Sequence, residues 1–324
     1  DNSINYIAID GTGVKWIATD GGGMASFDGT NWALYNISNS NLPDNCVSSI
    51  AIDANGDKWI GTFNDGLAKF DGINWTIYNR SNSGLPVDNV YRITLEEDEI
   101  KWFGTYGGGI VKFEGSDWTT YSTSNSGLPD NFIYAITVDV NGNKWIGTEN
   151  GGMANFDGTS WIIFDTLNSG LPDNDVSSIV TDENGALWIG TLYEGIVKFN
   201  GTNWIVYNSS NSDLPSDNVL AITIDENGTK WIGTFEGMAL FNENGIPSSL
   251  EENKDTENNL KIYPNPSNDK ITVSSPALTG TAKISIFNVN GQKAMEKQLT
   301  DNEIQLDIST LPQGVYDVRV QDEK

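Results

Sequence analysis

Aromatic and acidic side chains recur at one position of this chain whose surroundings are otherwise copied. Phe63, Asn64 and Asp65 form the first group and Tyr106 stands at the next. Glu149 with Asn150, Leu192 with Tyr193 and Glu194, and Phe235 with Glu236 follow. Flat rings offer apolar contact area, and carboxylates and amides fix orientation, so the set suits a sugar or peptide ligand. Carboxylate catalysis of glycoside cleavage would need two acids converging at a set separation, and Glu149 and Glu194 are the pair that could supply them. Histidine is absent altogether. That excludes Ser-His and Cys-His nucleophiles, histidine general bases and histidine-containing zinc sites. Asp53-Asn55-Asp57 and Asp182-Asn184 bring the oxygen ligands that calcium takes. No bidentate Glu follows at the required spacing, and the turns read as hairpins whose Asp and Asn bond their own backbone. Neither a metal nor a cofactor is expected. The one cysteine, Cys46, aligns with Ser3 and reads as a small side chain near a strand start rather than a nucleophile.

These residues sit on a repeat. Trp16, Trp59, Trp102, Trp145, Trp188 and Trp231 are spaced by 43 residues, as are Trp32, Trp75, Trp118, Trp161 and Trp204. Leu-Pro pairs beginning at Leu42, Leu85, Leu128, Leu171 and Leu214 keep that period. So do Asp10, Asp53, Asp139, Asp182 and Asp225, with Glu96 in the third copy. Within the second copy, Val47 to Ile52 is a β-branched run ending in the turn Asp53-Ala54-Asn55-Gly56. Lys58 to Thr62, Leu67 to Phe70 and Asn74 to Tyr78 supply three more strands. Four strands in about 43 residues is a propeller blade. The fold expected over residues 1–244 is therefore an all-β propeller of about six four-stranded blades. The Trp series are expected to fill the wedges between blades.

Loops of such a blade alternate between two faces. The turns after the first and third strands share one face and are nearly invariant here. The loop after the second strand and the long connector share the other face, and they vary from copy to copy. Variation at one loop position on a copied scaffold is where a specific site is built. The sixth copy lacks an outer strand, and residues 245–259 have the composition of a linker. Asp1 aligns with Asp44, so the strand that would complete the last blade is expected upstream of the sequence.

Residues 260–324 read as a small immunoglobulin-like β-sandwich. Ile271-Thr272-Val273 and Ile284-Ser285-Ile286 alternate, and Asn290-Gly291 signals a hairpin. Charge divides the chain as well. Residues 1–257 hold 11 Lys and Arg against 36 Asp and Glu, and residues 258–324 hold 7 against 8. An acidic field of that size repels phosphate backbones and anionic membranes, so nucleic acid is excluded as a partner. No apolar run is long enough to span a membrane.

The strings Lys58-Trp59-Ile60-Gly61-Thr62, Gly151-Gly152-Met153, Phe27-Asp28-Gly29-Thr30-Asn31-Trp32 and Ser124-Asn125-Ser126-Gly127-Leu128-Pro129-Asp130-Asn131 resemble the two-component-regulator propeller repeat. That family includes periplasmic sensor domains often linked to glycan sensing, so the resemblance implies the fold and ligand binding. Signalling by this chain itself is not implied, because it holds no kinase. The tail runs Tyr263-Pro264-Asn265-Pro266, then Ile284-Ser285-Ile286-Phe287-Asn288-Val289-Asn290-Gly291, then Leu311-Pro312-Gln313-Gly314-Val315-Tyr316. It resembles the type A sorting domain of the Bacteroidetes type IX secretion system. By that resemblance the secretion machinery is a partner and the protein is secreted or held at the outer cell surface. A non-catalytic binding module for a glycan or an extracellular protein is the expectation. A carbohydrate-active enzyme and a structural scaffold are the alternatives.

Overall fold

Each Asp-x-Asn-Gly turn does more than reverse the chain. Its leading carboxylate accepts backbone N–H groups two and four residues on, as Asp182 does from Asn184 and Ala186, both at 3.0 Å. Its second oxygen accepts the indole N–H of the tryptophan six residues on. The contact recurs at Asp10–Trp16 (3.0 Å), Asp53–Trp59 (2.9 Å) and Glu96–Trp102 (2.6 Å). It recurs again at Asp139–Trp145 (3.0 Å), Asp182–Trp188 (3.0 Å) and Asp225–Trp231 (2.8 Å). A buried indole N–H needs an acceptor, and this clip supplies it while aiming the ring into the wedge.

A computed structural model describes residues 3–96, 100–243, 261–263, 269–274, 282–288, 293–299, 303–312 and 316–322. The chain divides into two compact units, Asp1–Ile246 and Pro247–Lys324. In the first unit, five antiparallel four-stranded sheets follow one another in chain order. The second blade, for example, is Val47–Ile52, Lys58–Thr62, Leu67–Phe70 and Trp75–Tyr78. The sixth sheet has three described strands, Val219–Ile224, Lys230–Thr234 and Gly237–Phe241. First strands of successive blades lie side by side and form the inner rim.

Each wedge is filled in the same way. The first-series Trp stacks on the ring that ends its own outer strand, as in Trp59–Tyr78 at 5.9 Å and Trp188–Tyr207 at 6.0 Å. The second-series Trp stacks on the third-strand Phe, as in Phe70–Trp75 at 4.4 Å and Phe199–Trp204 at 4.1 Å. In four of the five wedges a Lys of the next blade caps the first ring, as with Lys58 over Trp16 at 4.6 Å and Lys144 over Trp102 at 5.3 Å, while Leu187 holds that position beside Trp145. The connector presses against the second ring. A Cβ on Gly127 would lie 2.4 Å from Trp161 Cβ, so glycine permits this close approach at Gly84, Gly127 and Gly170, whereas Asn41 holds the equivalent position in the first copy.

Five apolar clusters fill the five wedges between successive blades. Among the described residues no sixth cluster joins the last blade to the first, so the described blades pack as an arc. The exposed ends differ from the expectation that both Trp series are packed. Trp32 is 61% exposed, because no described blade packs against it. Ile7 is 52% exposed where its counterpart Ile50 is 1%. At the other end Met238 is 61% exposed where Met153 is 0%.

In the second unit, Lys270–Ser274 pairs with Lys261–Tyr263 on one side and Glu303–Asp307 on the other. Ala282–Asn288 pairs likewise with Lys293–Leu299 and Tyr316–Asp322. Ile271, Val273 and Leu306 of the first sheet share one cluster with Ala282, Ile284 and Ile286 of the second. The Tyr316 hydroxyl donates to Pro312 O at 2.8 Å. The immunoglobulin-like topology expected here stays a proposal. The Asn290-Gly291 turn, Pro264-Asn265-Pro266 and the 245–259 linker lie outside the described residues.

Two outcomes follow. Ile50→Ala should cost about 2–5 kcal/mol in denaturant unfolding, whereas Ile7→Ala should cost under about 1 kcal/mol. Equal losses would mean that the wedge before the first blade is filled. The second concerns acid. Burial pushes the Asp10 carboxyl up, but hydrogen bonds from Thr12, Trp16 and Val14 outweigh it and hold it at about 2. Asp139 and Asp225 are also held below the ordinary range. At Asp139 the bonds from Asn143 and Trp145 outweigh burial; at Asp225 the Trp231 bond leads. A depressed folded-state pKa stabilises above the unfolded value and is lost as pH falls through the folded one. The melting midpoint should therefore stay level down to about pH 5 and fall below about pH 4. A midpoint that did not move down to pH 2 would contradict this reading of the clip.

Candidate functional site

The loop after each second strand is tied to the residue that opens the first strand of its own blade. Phe63 N–H donates to Cys46 O, Tyr106 to Asn89 O and Glu149 to Phe132 O. Leu192 donates to Asp175 O and Phe235 to Asn218 O. One loop residue and one strand-opening residue thus meet in each blade, on the face the connectors share. The connectors clamp the loops. Asp130 Oδ2 accepts from Asn150 N–H at 3.1 Å, and Asp173 Oδ2 accepts from Tyr193 N–H at 3.1 Å. The loop shape itself is set at Gly66 and its equivalents. Gly66 has φ +88°, and a Cβ there would fall 2.2 Å from Tyr78 O.

On this face the third and fourth blades gather an aromatic cluster. Tyr91, Tyr106 and Tyr134 stand with ring centroids 6.4, 5.5 and 6.4 Å apart (Tyr91–Tyr106, Tyr91–Tyr134 and Tyr106–Tyr134). Phe63 adds an edge contact to Tyr91 at 5.7 Å, and Phe132 adds one to Tyr106 at 4.6 Å. Glu149 Oε1 accepts the Tyr134 hydroxyl at 3.0 Å and the Tyr106 hydroxyl at 3.4 Å. The carboxylate holds both phenols in place. The Arg92 guanidinium lies 4.2 Å over the Tyr91 ring.

The electrostatics are acidic. Burial, then the neighbouring charges of Asp173, Glu149 and Asp130, push the Asp175 carboxyl up. Burial, then Glu149, also pushes the Tyr134 and Tyr106 phenols up. Cys46 is half-buried and its thiol is pushed up by burial, then by Asp44 and Asp20, the opposite of an activated nucleophile. Among the described residues no cluster of acids and cysteine has the arrangement of a metal site.

Of the residues proposed from sequence, Phe63, Tyr106 and Glu149 are brought together. Asp65, Glu194 and Glu236 are exposed loop residues around the arc. Tyr193 and Phe235 are 63% and 77% exposed, and among the described residues neither ring touches the cluster. Sequence reasoning missed Tyr91, Phe132, Tyr134 and Asp175. The signal was present. The second residue of the first strand runs Asn5, Ser48, Tyr91, Tyr134, Ser177, Leu220 through the copies. Ser177 there bonds across to the next blade at Val219 O, and the two tyrosines replace that small link with a ring.

Glu149→Gln should let Tyr134 ionise at lower pH, because the carboxylate charge that opposes the phenolate is gone. Ultraviolet titration of the tyrosines checks this. An unchanged titration would mean that Tyr134 and Glu149 do not interact.

A two component regulator propeller family model matches residues 41–64, 127–150 and 170–193. A secretion system C-terminal sorting domain model matches residues 261–324. No curated protein matches the chain by sequence. Among solved structures, the chain is similar to PorZ, an essential bacterial surface component of the type-IX secretion system of Porphyromonas gingivalis. That match has 21% identity and a TM-score of 0.60, covering 98% of this chain and 49% of that one. It is also similar to the extracellular domain of the hybrid two component system BT3049 of B. thetaiotaomicron (19%, TM-score 0.60, 99% and 54%). A third is the extracellular domain of the one component system BT4673 of the same organism (17%, TM-score 0.63, 98% and 53%). The chain spans about half the length of these structures, and at such identities they show the fold alone. The protein is secreted or lies at the cell surface, and no described helix is long and apolar enough to cross a membrane. The chain is built of two component regulator propeller repeats and ends in a secretion system C-terminal sorting domain.

Proposed function

We propose that the propeller is a non-catalytic binding module, carried out of the cell by its sorting tail, which engages the secretion machinery. Its ligand, a glycan or an extracellular protein, is held on the tyrosine face. The observation that carries this reading is the Tyr91–Tyr106–Tyr134 group around Glu149, built where the repeat departs from its own pattern. A scaffold needs no such departure. A second reading, a carboxylate-based glycosidase, is favoured by one observation. Asp175, its carboxyl pushed up by burial and then by Asp173, Glu149 and Asp130, lies within electrostatic reach of Glu149, and a carboxyl pushed up beside a second acid is what a general acid in such chemistry uses.

The test is to apply the purified chain to glycan and peptide arrays beside Tyr106→Ala and Tyr134→Ala variants. Each ring should be worth about 3- to 10-fold in affinity. Binding that survives both substitutions would move the site elsewhere, and no binding to any feature would leave a scaffold. Cleavage of an array glycan, lost in Asp175→Asn, would replace the binding module with the enzyme.

A further inference from the structure

We propose that the ligand group seated on the tyrosine face is a cation, the guanidinium or ammonium of an Arg or Lys side chain on an extracellular protein. This rests on the binding reading above and names the chemistry of the same site.

Three observations point to it. First, Glu149 accepts from the Tyr134 and Tyr106 hydroxyls and holds both rings in a cluster of aromatic rings. A cation is what a desolvated ring face attracts. Second, the face already holds one such group of its own, the Arg92 guanidinium 4.2 Å over Tyr91. Arg92 also donates to Tyr91 O at 3.1 Å, which fixes it on that ring and leaves Tyr106 and Tyr134 without a cation over them among the described residues. Tyr106 is 39% exposed, so its face is reachable. Third, acids gather beside these rings, with Arg92 as the cation already on the face. Asp130, Asp173 and Glu149 act together on the half-buried Asp175 carboxyl, and none of the groups acting on it is a cation. The lysines that cap the wedge tryptophans lie elsewhere; Lys144, for instance, bonds Gly142 O in the turn on the opposite face. A neutral sugar would stack on the rings and gain nothing from this field, and an anionic one would be repelled. A basic side chain gains both terms.

The fold already uses this chemistry within its wedges, where Lys58, Lys101, Lys144 and Lys230 each sit over a tryptophan at 4.6 to 5.3 Å. The tyrosine face applies the same contact to a group from outside.

The experiment is fluorescence anisotropy of the full chain with a labelled Gly-Ser peptide carrying four arginines, and with its citrulline twin, which keeps the shape and loses the charge. The arginine peptide should bind at least 10-fold more tightly than the citrulline peptide. Glu149→Gln and Tyr106→Ala should each weaken it about 3- to 10-fold. Glu226→Gln, an exposed acid in a turn on the opposite face, should leave binding unchanged, which separates the site from the general attraction of an acidic protein. Equal loss in Glu226→Gln and Glu149→Gln would overturn the proposal, as would equal binding of the two peptides. Tyrosine-dependent binding of a neutral glycan, with no arginine preference, would also overturn it while leaving the binding reading intact. Absence of any ligand on the arrays would remove both.

Discussion

The bond between a turn carboxylate and the indole N–H six residues on is the interaction on which the rest of this propeller depends. It occurs in all six copies, with Glu96 reaching its tryptophan in the third as the aspartates do elsewhere. A tryptophan brings a large apolar surface into a wedge together with one polar atom that must not be stranded there. By answering that atom from the adjacent hairpin, the sequence makes blade shape and wedge packing one problem. The turn closes only around its carboxylate, and the carboxylate then fixes the ring. Stacking on Tyr, capping by Lys and contact with the glycine connector all build on a ring already held in place.

The same economy explains the ends of the arc. Every internal blade uses both faces, so a terminal blade bares one. The leading face of the first blade leaves Ile7, Ile9, Trp32 and Leu34 exposed. The trailing face of the last leaves Met238 and Leu240 exposed. The shortened loop of that last blade fits the picture. Its Gly237 meets nothing within 4 Å, because the outer-strand carbonyl that crowds Gly66, Gly109, Gly152 and Gly195 is missing among the described residues.

Function can diverge on such a scaffold because its stability lies in the wedges and its variable positions on one rim. Where Ser48 and Ser177 bond to the next blade, Tyr91 and Tyr134 project rings, and the blades stay packed. The backbone bond from each loop to its strand opening keeps two variable positions adjacent in every blade. Neighbouring blades then pool these positions, so that Tyr106 of the third blade and Tyr134 of the fourth share the one carboxylate of Glu149.

The sequence by itself determined the period, the strand order within a blade, the face on which variation gathers and the two-unit division. All of these rest on local patterns, the alternation of apolar residues and the chemistry of tight turns. It also pointed to Phe63, Tyr106 and Glu149 one at a time, as copies that differ. Only the tertiary structure decided which of the differing residues meet. Phe235 occupies the repeat position of Tyr106 and Tyr193 lies one residue beyond it, yet both stand apart, because the first-strand neighbours in their blades are Ser177 and Leu220 where Tyr106 has Tyr91. Tyr91 and Tyr134 are legible in the sequence as variation within a strand, but the pattern alone does not show that their rings meet Tyr106 and Glu149. The open wedge was equally out of reach, since Ile7 and Ile50 are the same residue in the same pattern, and burial depends on whether another blade stands in front.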